Sequence, residues 1–315
     1  MKKVRIGFDL GGTNMGAALV SYEGEILYIT DCPTLGSEPP EKVIGRMKTL
    51  IRNCLDEAQR KGFEVVSIGI GCPGVIDTAS GVVRTLPNLY NWTNIELRRI
   101  LTEEFSVHVS LDNDVRVAAL GEFYFGAGKG YNNILCITLG TGIGGGIILN
   151  GQLMRGPTFS MGEIGHMTLL KGGPQCGCGN YGCFEALASA TAIARNAKES
   201  IETGKSDEMK KRFEAGEKIN AYMVTQAAQN GDPEAKRIIR ETTEWIGIGL
   251  SNAINLLNPE LIIIGGGVAL AGDILFEPIR QEIAKRALKI PGSFVKVVPA
   301  KLGDSAGMVG ASTLI

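Results

Sequence analysis

The feature that most constrains this chain is a strand, a glycine-rich turn and a returning strand, used twice. The first copy runs Ile6–Ala18 around Asp9-Leu10-Gly11-Gly12-Thr13, and the second runs Ile134–Leu149 around Leu139–Gly146. An apolar strand that ends in glycines must turn tightly or bring its backbone close to a ligand. Each copy is followed by helix and strand units, so the chain reads as an α/β protein of two similar lobes. Lobes facing each other would set two phosphate-clasping turns across one cleft. A length of 315 residues suits two domains at about 150 residues each.

Composition agrees. Glycine accounts for 43 of 315 residues, about twice the usual share of roughly 7%, and it clusters after strands rather than in a linker. A hydrophobic content of 44% excludes a disordered chain. The 32 basic and 33 acidic residues leave a net charge of −1, which argues against a nucleic acid or membrane surface held by bulk electrostatics. No apolar stretch reaches the length of about 18 residues that spans a bilayer. Met1-Lys2-Lys3-Val4-Arg5 imitates the start of an export signal, but Arg5 and Asp9 interrupt the apolar run and Gly11-Gly12 follows at once. A cytoplasmic location is therefore expected.

Strands are expected at Val4–Asp9, Gly16–Ser21, Glu25–Ile29, Val65–Gly71 and Val107–Leu111, with helices at Glu41–Lys61, Asn94–Glu104 and Val115–Phe125. Thr93 or Asn94 would cap the second of these helices, and Cys72–Asn91 reads as a Pro/Gly loop. The second half repeats the theme with strands at Asn133–Leu139, Gly146–Leu149, Leu261–Ile264 and Phe294–Val298. Helices should dominate Phe184–Leu257 and occupy Asp273–Leu288 and Ala306–Leu314.

The glycine amides of the first turn can cradle phosphate oxygens, with Thr13 as a hydroxyl donor. A carboxylate beside a triphosphate makes sense if Asp9 meets Mg²⁺, through water. A plain turn with Asp as turn former fits the same residues. The second turn, Thr138-Leu139-Gly140-Thr141-Gly142-Ile143-Gly144-Gly145-Gly146, contains a formal G-x-G-x-x-G, yet a strand follows where a dinucleotide site needs a helix. A nicotinamide-type fold is excluded on that context. Gly126–Gly130 fails as a P-loop, because Phe123 stands where the first glycine belongs and Gly130 where Ser or Thr belongs. Ile262–Gly267 ends in Gly265-Gly266-Gly267, a crevice that could take adenosine or serve close strand–helix packing.

Asn113-Asp114 sits between a strand and a helix, where both residues are ordinary caps. The chemical alternative makes Asp114 the base for an attacking hydroxyl and Asn113 a substrate-orienting amide. Of seven cysteines, Cys32, Cys54, Cys72 and Cys136 are scattered and read as buried thiols. His166, Cys176, Cys178 and Cys183 instead form a Cys₃His set suited to tetrahedral, structural Zn²⁺. If one ring nitrogen of His166 meets the metal, the other can face a substrate hydroxyl. Glu163 and Glu185 flank this knuckle and could join it on sugar hydroxyls or remain solvated charges. His108 reads as an ordinary strand residue.

Taken in order, these residues resemble the ROK family of sugar kinases, repressors and open reading frames. The resemblance rests on Asp9–Thr13, Asn113-Asp114, Gly121-Glu122, Leu139–Gly146, Glu163-Ile164-Gly165-His166 and the Cys-x-Cys-Gly-x-x-Gly-Cys-x-Glu block at Cys176–Glu185. It implies a duplicated ribonuclease-H-like fold of the actin and hexokinase type, with ATP and Mg²⁺ in an interlobe active-site cleft. The expected small lobe is residues 1–111 closed by the helix 301–315, and the large lobe is residues 112–300. The resemblance implies Asp114 as base for a hexose 6-hydroxyl, sugar contacts from Asn113, Glu163, His166 and Glu185, and further contacts at Gly74 and Asn88. It implies zinc on His166, Cys176, Cys178 and Cys183, and a homodimer or homotetramer.

Glucose is the expected hexose. N-acetylmannosamine, N-acetylglucosamine, fructose and allose are the alternatives, with a non-catalytic sugar sensor behind them. Repressors of the family carry a DNA-binding segment ahead of the first phosphate strand, for which a strand starting by Val4 leaves no room. Two departures stand out. Asp112-Asn113-Asp114-Val115-Arg116 replaces the frequent Glu-Asn-Asp-Ala-Asn, and Pro157-Thr158-Phe159-Ser160-Met161 replaces a small-residue loop before Glu163.

Overall fold

A computed structural model of the chain describes residues 1–86 and 89–314. The N-terminal apolar runs become β1 (Lys2–Leu10), β2 (Asn14–Val20) and β3 (Ile26–Pro33), an antiparallel meander. Helix α1 (Pro40–Arg60) follows, with Val43, Met47, Leu50, Ile51, Cys54 and Ala58 on one buried stripe at helical spacing. Then come β4 (Phe63–Cys72), the short strands β5 (Val75–Asp77), β6 (Val82–Thr85) and β7 (Thr93–Ile95), α2 (Leu97–Phe105), β8 (His108–Asn113) and α3 (Asp114–Phe125).

The second half opens with β9 (Ile134–Leu139), β10 (Ile143–Leu149) and β11 (Gln152–Leu153). Five helices follow, α4 (Phe184–Ala188), α5 (Ala190–Glu202), α6 (Asp207–Glu214), α7 (Ala221–Gln229) and α8 (Pro233–Leu257). The chain closes with β12 (Leu261–Gly265), α9 (Asp273–Arg286), α10 (Lys289–Phe294), β13 (Lys296–Pro299) and α11 (Ala306–Ala311).

The two large sheets share one plan. Their orders are β3-β2-β1-β4-β8 and β11-β10-β9-β12-β13, so each puts its first strand in the centre. In both, the first strand pairs in parallel with the strand that returns after a helical connection: β1 with β4 and then β8, β9 with β12 and then β13. Repeated order and direction establish the duplicated ribonuclease-H-like α/β architecture.

Contacts divide the chain into two compact units, Met1–Tyr131 with Gly146–Met161 and Ala300–Ile315, and Asn132–Gly145 with Gly162–Pro299. This division runs differently from the expected lobes at residues 112–131 and 146–161. In the first unit, α11 packs on α3 and β1 at backbone distance. A Cβ on Gly310 would overlap the carbonyl of Val117, so only glycine allows the approach. Glu122 of α3 is buried and draws the C-terminal segment in, accepting from the amides of Ala127 (2.8 Å), Lys301 (2.8 Å) and Leu302 (2.7 Å).

Two sequence expectations are corrected here. The Cys72–Asn91 stretch carries β5 and β6, which with β7 form a three-stranded sheet that buries Ile76 and Val83. The expected helix at Asn94 begins instead at Leu97, because Thr93 and Ile95 pair with Thr85 and Val83. Asn94 adopts a left-handed φ of 53° in that strand, and the helix starts after Glu96 without a side-chain cap. Among the described residues, no helix is long and apolar enough to cross a membrane. Cys54, Cys72 and Cys136 are buried, as the sequence reading expects, whereas Cys32 is half-buried.

Candidate functional site

In the first unit, register does the assembling. β4 lies between β1 and β8, pairing Gly71 with Asp9 on one side and with Asp112 on the other. Cys72 pairs with Asn113. Asp9, Asn113 and Asp114 therefore gather at the carboxyl ends of three adjacent parallel strands, the position where open α/β sheets bind ligands. The carboxylates sense one another. Burial pushes Asp9 up to about 7, and the Asp114 charge adds to the shift. The buried Cys72 thiol is held well above its ordinary value by desolvation and by Asp114, Asp9 and Asp112.

Asn113 serves two roles at once. Its Oδ1 accepts from the amides of Val115 (3.1 Å) and Arg116 (3.3 Å), so it caps α3, while its Nδ2 donates to the Gly74 carbonyl at 3.3 Å. Two of the expected sugar contacts, Gly74 and Asn113, are thus joined by a hydrogen bond. Asp114 opens α3, its Oδ1 accepting from the Val115 amide at 2.9 Å. The cap sets the helix N-terminus, and the helix N-terminus sets Asp114. Asn88 lies outside the described residues.

The first glycine turn is anchored by a residue the sequence reading passed over. Buried Thr34 donates its hydroxyl to the Gly11 carbonyl at 2.7 Å and its amide to the Thr13 carbonyl at 2.8 Å. Gly12 and Thr13 stay exposed. No local pattern marks Thr34, since its bond spans 23 residues.

The second unit builds its half from β9 and β12. Thr138 pairs with Gly265, which brings the Gly140–Gly142 turn and Gly265-Gly266-Gly267 to the same ends of neighbouring parallel strands. The turn rests on the start of α5: Ala190 donates its amide to the Gly140 carbonyl (2.8 Å) and Thr191 its hydroxyl to the Thr141 carbonyl (2.7 Å). Ser189 caps that helix through the Ala192 amide at 3.2 Å. Glu185 reaches the turn as well, its Oε2 accepting from the Ile143 amide at 2.8 Å. A Cβ on Gly142 would collide with that carboxylate.

His166, Cys176, Cys178 and Cys183 converge, with one ligand atom of each lying within 4.8 Å of the others. Cys178 and Cys183 sulfurs are 3.8 Å apart, and Cys176 Sγ is 3.7 Å from His166 Nδ1. Bonds of about 2.3 Å in a tetrahedron space sulfurs by roughly 3.8 Å, so the donor set fits zinc. The other ring nitrogen of His166, Nε2, lies 4.0 Å from Glu163 Oε2. Cys176 Sγ also sits 3.7 Å from Glu185 Oε1. Glu185 consequently links the Cys₃His cluster to the second turn, a connection that spacing alone does not reveal.

Fold and site together define an α/β protein with two glycine turns at strand ends, an acidic group beside one of them and a Cys₃His cluster beside the other. The chain belongs to the ROK family, whose sequence profile matches residues 5–315. It is similar to a glucokinase of Thermotoga maritima, 38% identical over 310 residues that cover 98% of this chain and 96% of that protein. A ROK family glucokinase of Streptomyces griseus, solved with glucose and AMPPNP, superposes with a TM-score of 0.80 at 33% identity, covering 98% of each chain. A ROK family transcriptional regulator, described as a homologue of the E. coli MLC protein, gives 0.89 at 30% identity over 99% of this chain and 77% of its own.

Proposed function

We infer that the protein is an ATP-dependent hexose kinase that transfers the terminal phosphoryl group of ATP to the 6-hydroxyl of glucose. The observation that carries this reading is the gathering of Asp9, Asn113 and Asp114 at the ends of β1, β4 and β8. Phosphoryl transfer asks a protein mainly for positioning and for charge compensation, and a carboxylate base suffices for the acceptor. Asp114 takes the proton of the 6-hydroxyl as the oxygen attacks, and Asn113 orients the same end of the sugar. Gly74, Asn88, Glu163, His166 and Glu185 contribute further sugar contacts.

The amides of Gly11 and Gly12, with the Thr13 hydroxyl, are donors for phosphate oxygens. Thr138, Gly140, Thr141 and Gly142 offer donors of the same kind, and Gly265–Gly267 would receive the adenosine. Asp9 is the carboxylate placed for Mg²⁺; burial, and after it the Asp114 charge, raises its pKa, and a bound cation would favour its ionised form. When bound, Mg²⁺ would neutralise charge on the transferring phosphates. His166, Cys176, Cys178 and Cys183 would hold Zn²⁺ in a closed, structural site that fixes Glu163 and Glu185 at its edges. The working assembly is a cytoplasmic homodimer or homotetramer.

The test is ADP release from Mg·ATP with glucose, mannose, fructose, allose, N-acetylglucosamine and N-acetylmannosamine. Glucose should turn over fastest. A preference for another of these sugars keeps the mechanism and changes the substrate. Sugar binding without turnover would favour the sensor reading, which the regulator's TM-score of 0.89 supports.

A further inference from the structure

The two places where the chain departs from the family pattern meet in the structure. Arg116 is one of the largest fully buried side chains and sits in the first turn of α3, two residues past Asp114. Its Nε donates to Asp112 Oδ1 at 2.7 Å, and its Nη1 donates to the Phe159 carbonyl at 2.7 Å. Asp112 also accepts from its neighbour's amide, Asn113, at 2.7 Å, and its Oδ2 takes the Nε of Arg155 at 2.7 Å. One buried carboxylate and two guanidinium groups thus tie both ends of the Arg155–Phe159 segment to the residues that bracket Asn113-Asp114.

The segment needs that tie. Phe159 has a left-handed φ of 56°, an outlier for a bulky residue that its surroundings must hold in place. Within the loop, the Phe159 amide donates to Gly156 at 3.3 Å and the Met161 amide to Arg155 at 3.0 Å. Two residues beyond Met161 the chain reaches Glu163. The loop is therefore hung at one end from the helix turn that carries Asp114 and leads at the other into an expected sugar contact.

We propose that Arg116 is a positioning residue for sugar selection: by holding the Phe159 carbonyl while paired to Asp112, it fixes the 155–161 loop as a wall of the hexose site. The proposal rests on the reading of Asp114 as the base for a hexose hydroxyl. A guanidinium is suited to the task because its planar fork bonds two acceptors at fixed angles. A lysine keeps the positive charge beside Asp112 but offers a single point, so it cannot serve Asp112 Oδ1 and Phe159 in the same geometry.

Arg116→Lys is the first test, assayed with glucose and mannose beside the wild type. The expected result is a rise in KM for glucose of about tenfold, a change in the glucose-to-mannose ratio of kcat/KM of about fivefold or more, and a kcat within about threefold. Tryptic cleavage after Arg155 should also quicken in the variant, since the loop loses its anchor. That readout needs no turnover. Unchanged sugar constants in a folded Arg116→Lys protein would overturn the proposal, as would faster loop cleavage with no change in selectivity.

Should Arg116→Lys fail to fold, replacing Thr158, Phe159 and Ser160 with glycine decides the matter, because Thr158 is exposed and Phe159 and Ser160 are only half-buried. The same KM rise and altered sugar ratio are expected, and wild-type constants would refute it. A wild-type enzyme inert toward every hexose would instead sink the kinase reading, and the wall's role in selecting a sugar with it. An active wild type with an indifferent Arg116→Lys variant sinks the wall alone.

Discussion

The two glycine turns occupy equivalent places in sheets of the same order, yet they are equipped differently. The first ends in Asp9, a carboxylate with Asp114 near it across β4, and burial first and the Asp114 charge second raise its pKa. The second carries no acid of its own. It draws one in from Glu185, whose carboxylate is spent on the Ile143 amide and on the Cys₃His cluster. Duplication supplied the same backbone twice with different side chains: carboxylates gather at the strand ends of the first copy, amides and hydroxyls line the turn of the second, and the proposed function assigns protons and cations to the one and phosphates to the other. Thr34 and α5, the supports behind the two turns, are likewise unrelated.

The most damaging test of that division is Asp114→Asn. Turnover with glucose should fall by about 10²- to 10⁴-fold, the usual span for a general base, while glucose affinity measured by calorimetry stays within a few-fold. Retained turnover would move the chemistry away from the first copy. Next in size is Gly142→Ala, which pushes a Cβ into the Glu185 carboxylate. It should raise KM for ATP by about tenfold through the turn and raise KM for the sugar as well through the displaced Glu185. An unchanged KM for ATP would separate the second turn from the nucleotide.

Stability gives two further tests. Gly310→Ala should cost about 1–3 kcal/mol in chemical denaturation, since α3 and α11 must separate to admit a methyl group. A neutral result would mean that the packing of α11 on α3 is looser than described. The other is electrostatic and singles out Asp9. Its folded pKa of about 7 exceeds the ordinary carboxylate value, so the native state holds a proton that the unfolded chain has released. Stability should therefore fall as pH rises from about 4 to about 7, by at most roughly 1.4 kcal/mol per unit from this group, and level off above. Asp9→Asn, measured without nucleotide or Mg²⁺, should lose that decline and gain on the wild type across the same window. Parallel curves would show that burial does not hold Asp9 above its ordinary value.

Reading the sequence located much of this because the relevant signals were local. Asn113-Asp114 announced a helix start, and Asn113 does cap α3. The thiols of Cys176, Cys178 and Cys183 lie close in sequence, so their convergence needed only a tight loop, although His166 joins them from ten residues away. The error at Asn94 came from the same reliance on local cues: a good capping residue lost to the pairing of Thr93 and Ile95 with β6, which lies across a loop. Glu122 entered as part of a motif without a role, and its hold on Lys301 and Leu302 spans about 180 residues.

What the sequence by itself determined were the turns, the helix starts and the donor chemistry, since glycine conformation, capping and thiol identity act within a few residues. Only the tertiary structure decided that Asp9 would share strand ends with Asp114, that Glu185 would lean on Ile143, and that Arg116 would hold Phe159. Those relations depend on strand register and on side chains, the half-buried Glu185 and the buried Arg116, finding partners 42 and 43 residues away. A buried guanidinium seeks acceptors, but which residues supply them is chosen by the fold: Arg116 finds Asp112 and Phe159 for two of its nitrogens and, among the described residues, no partner for Nη2.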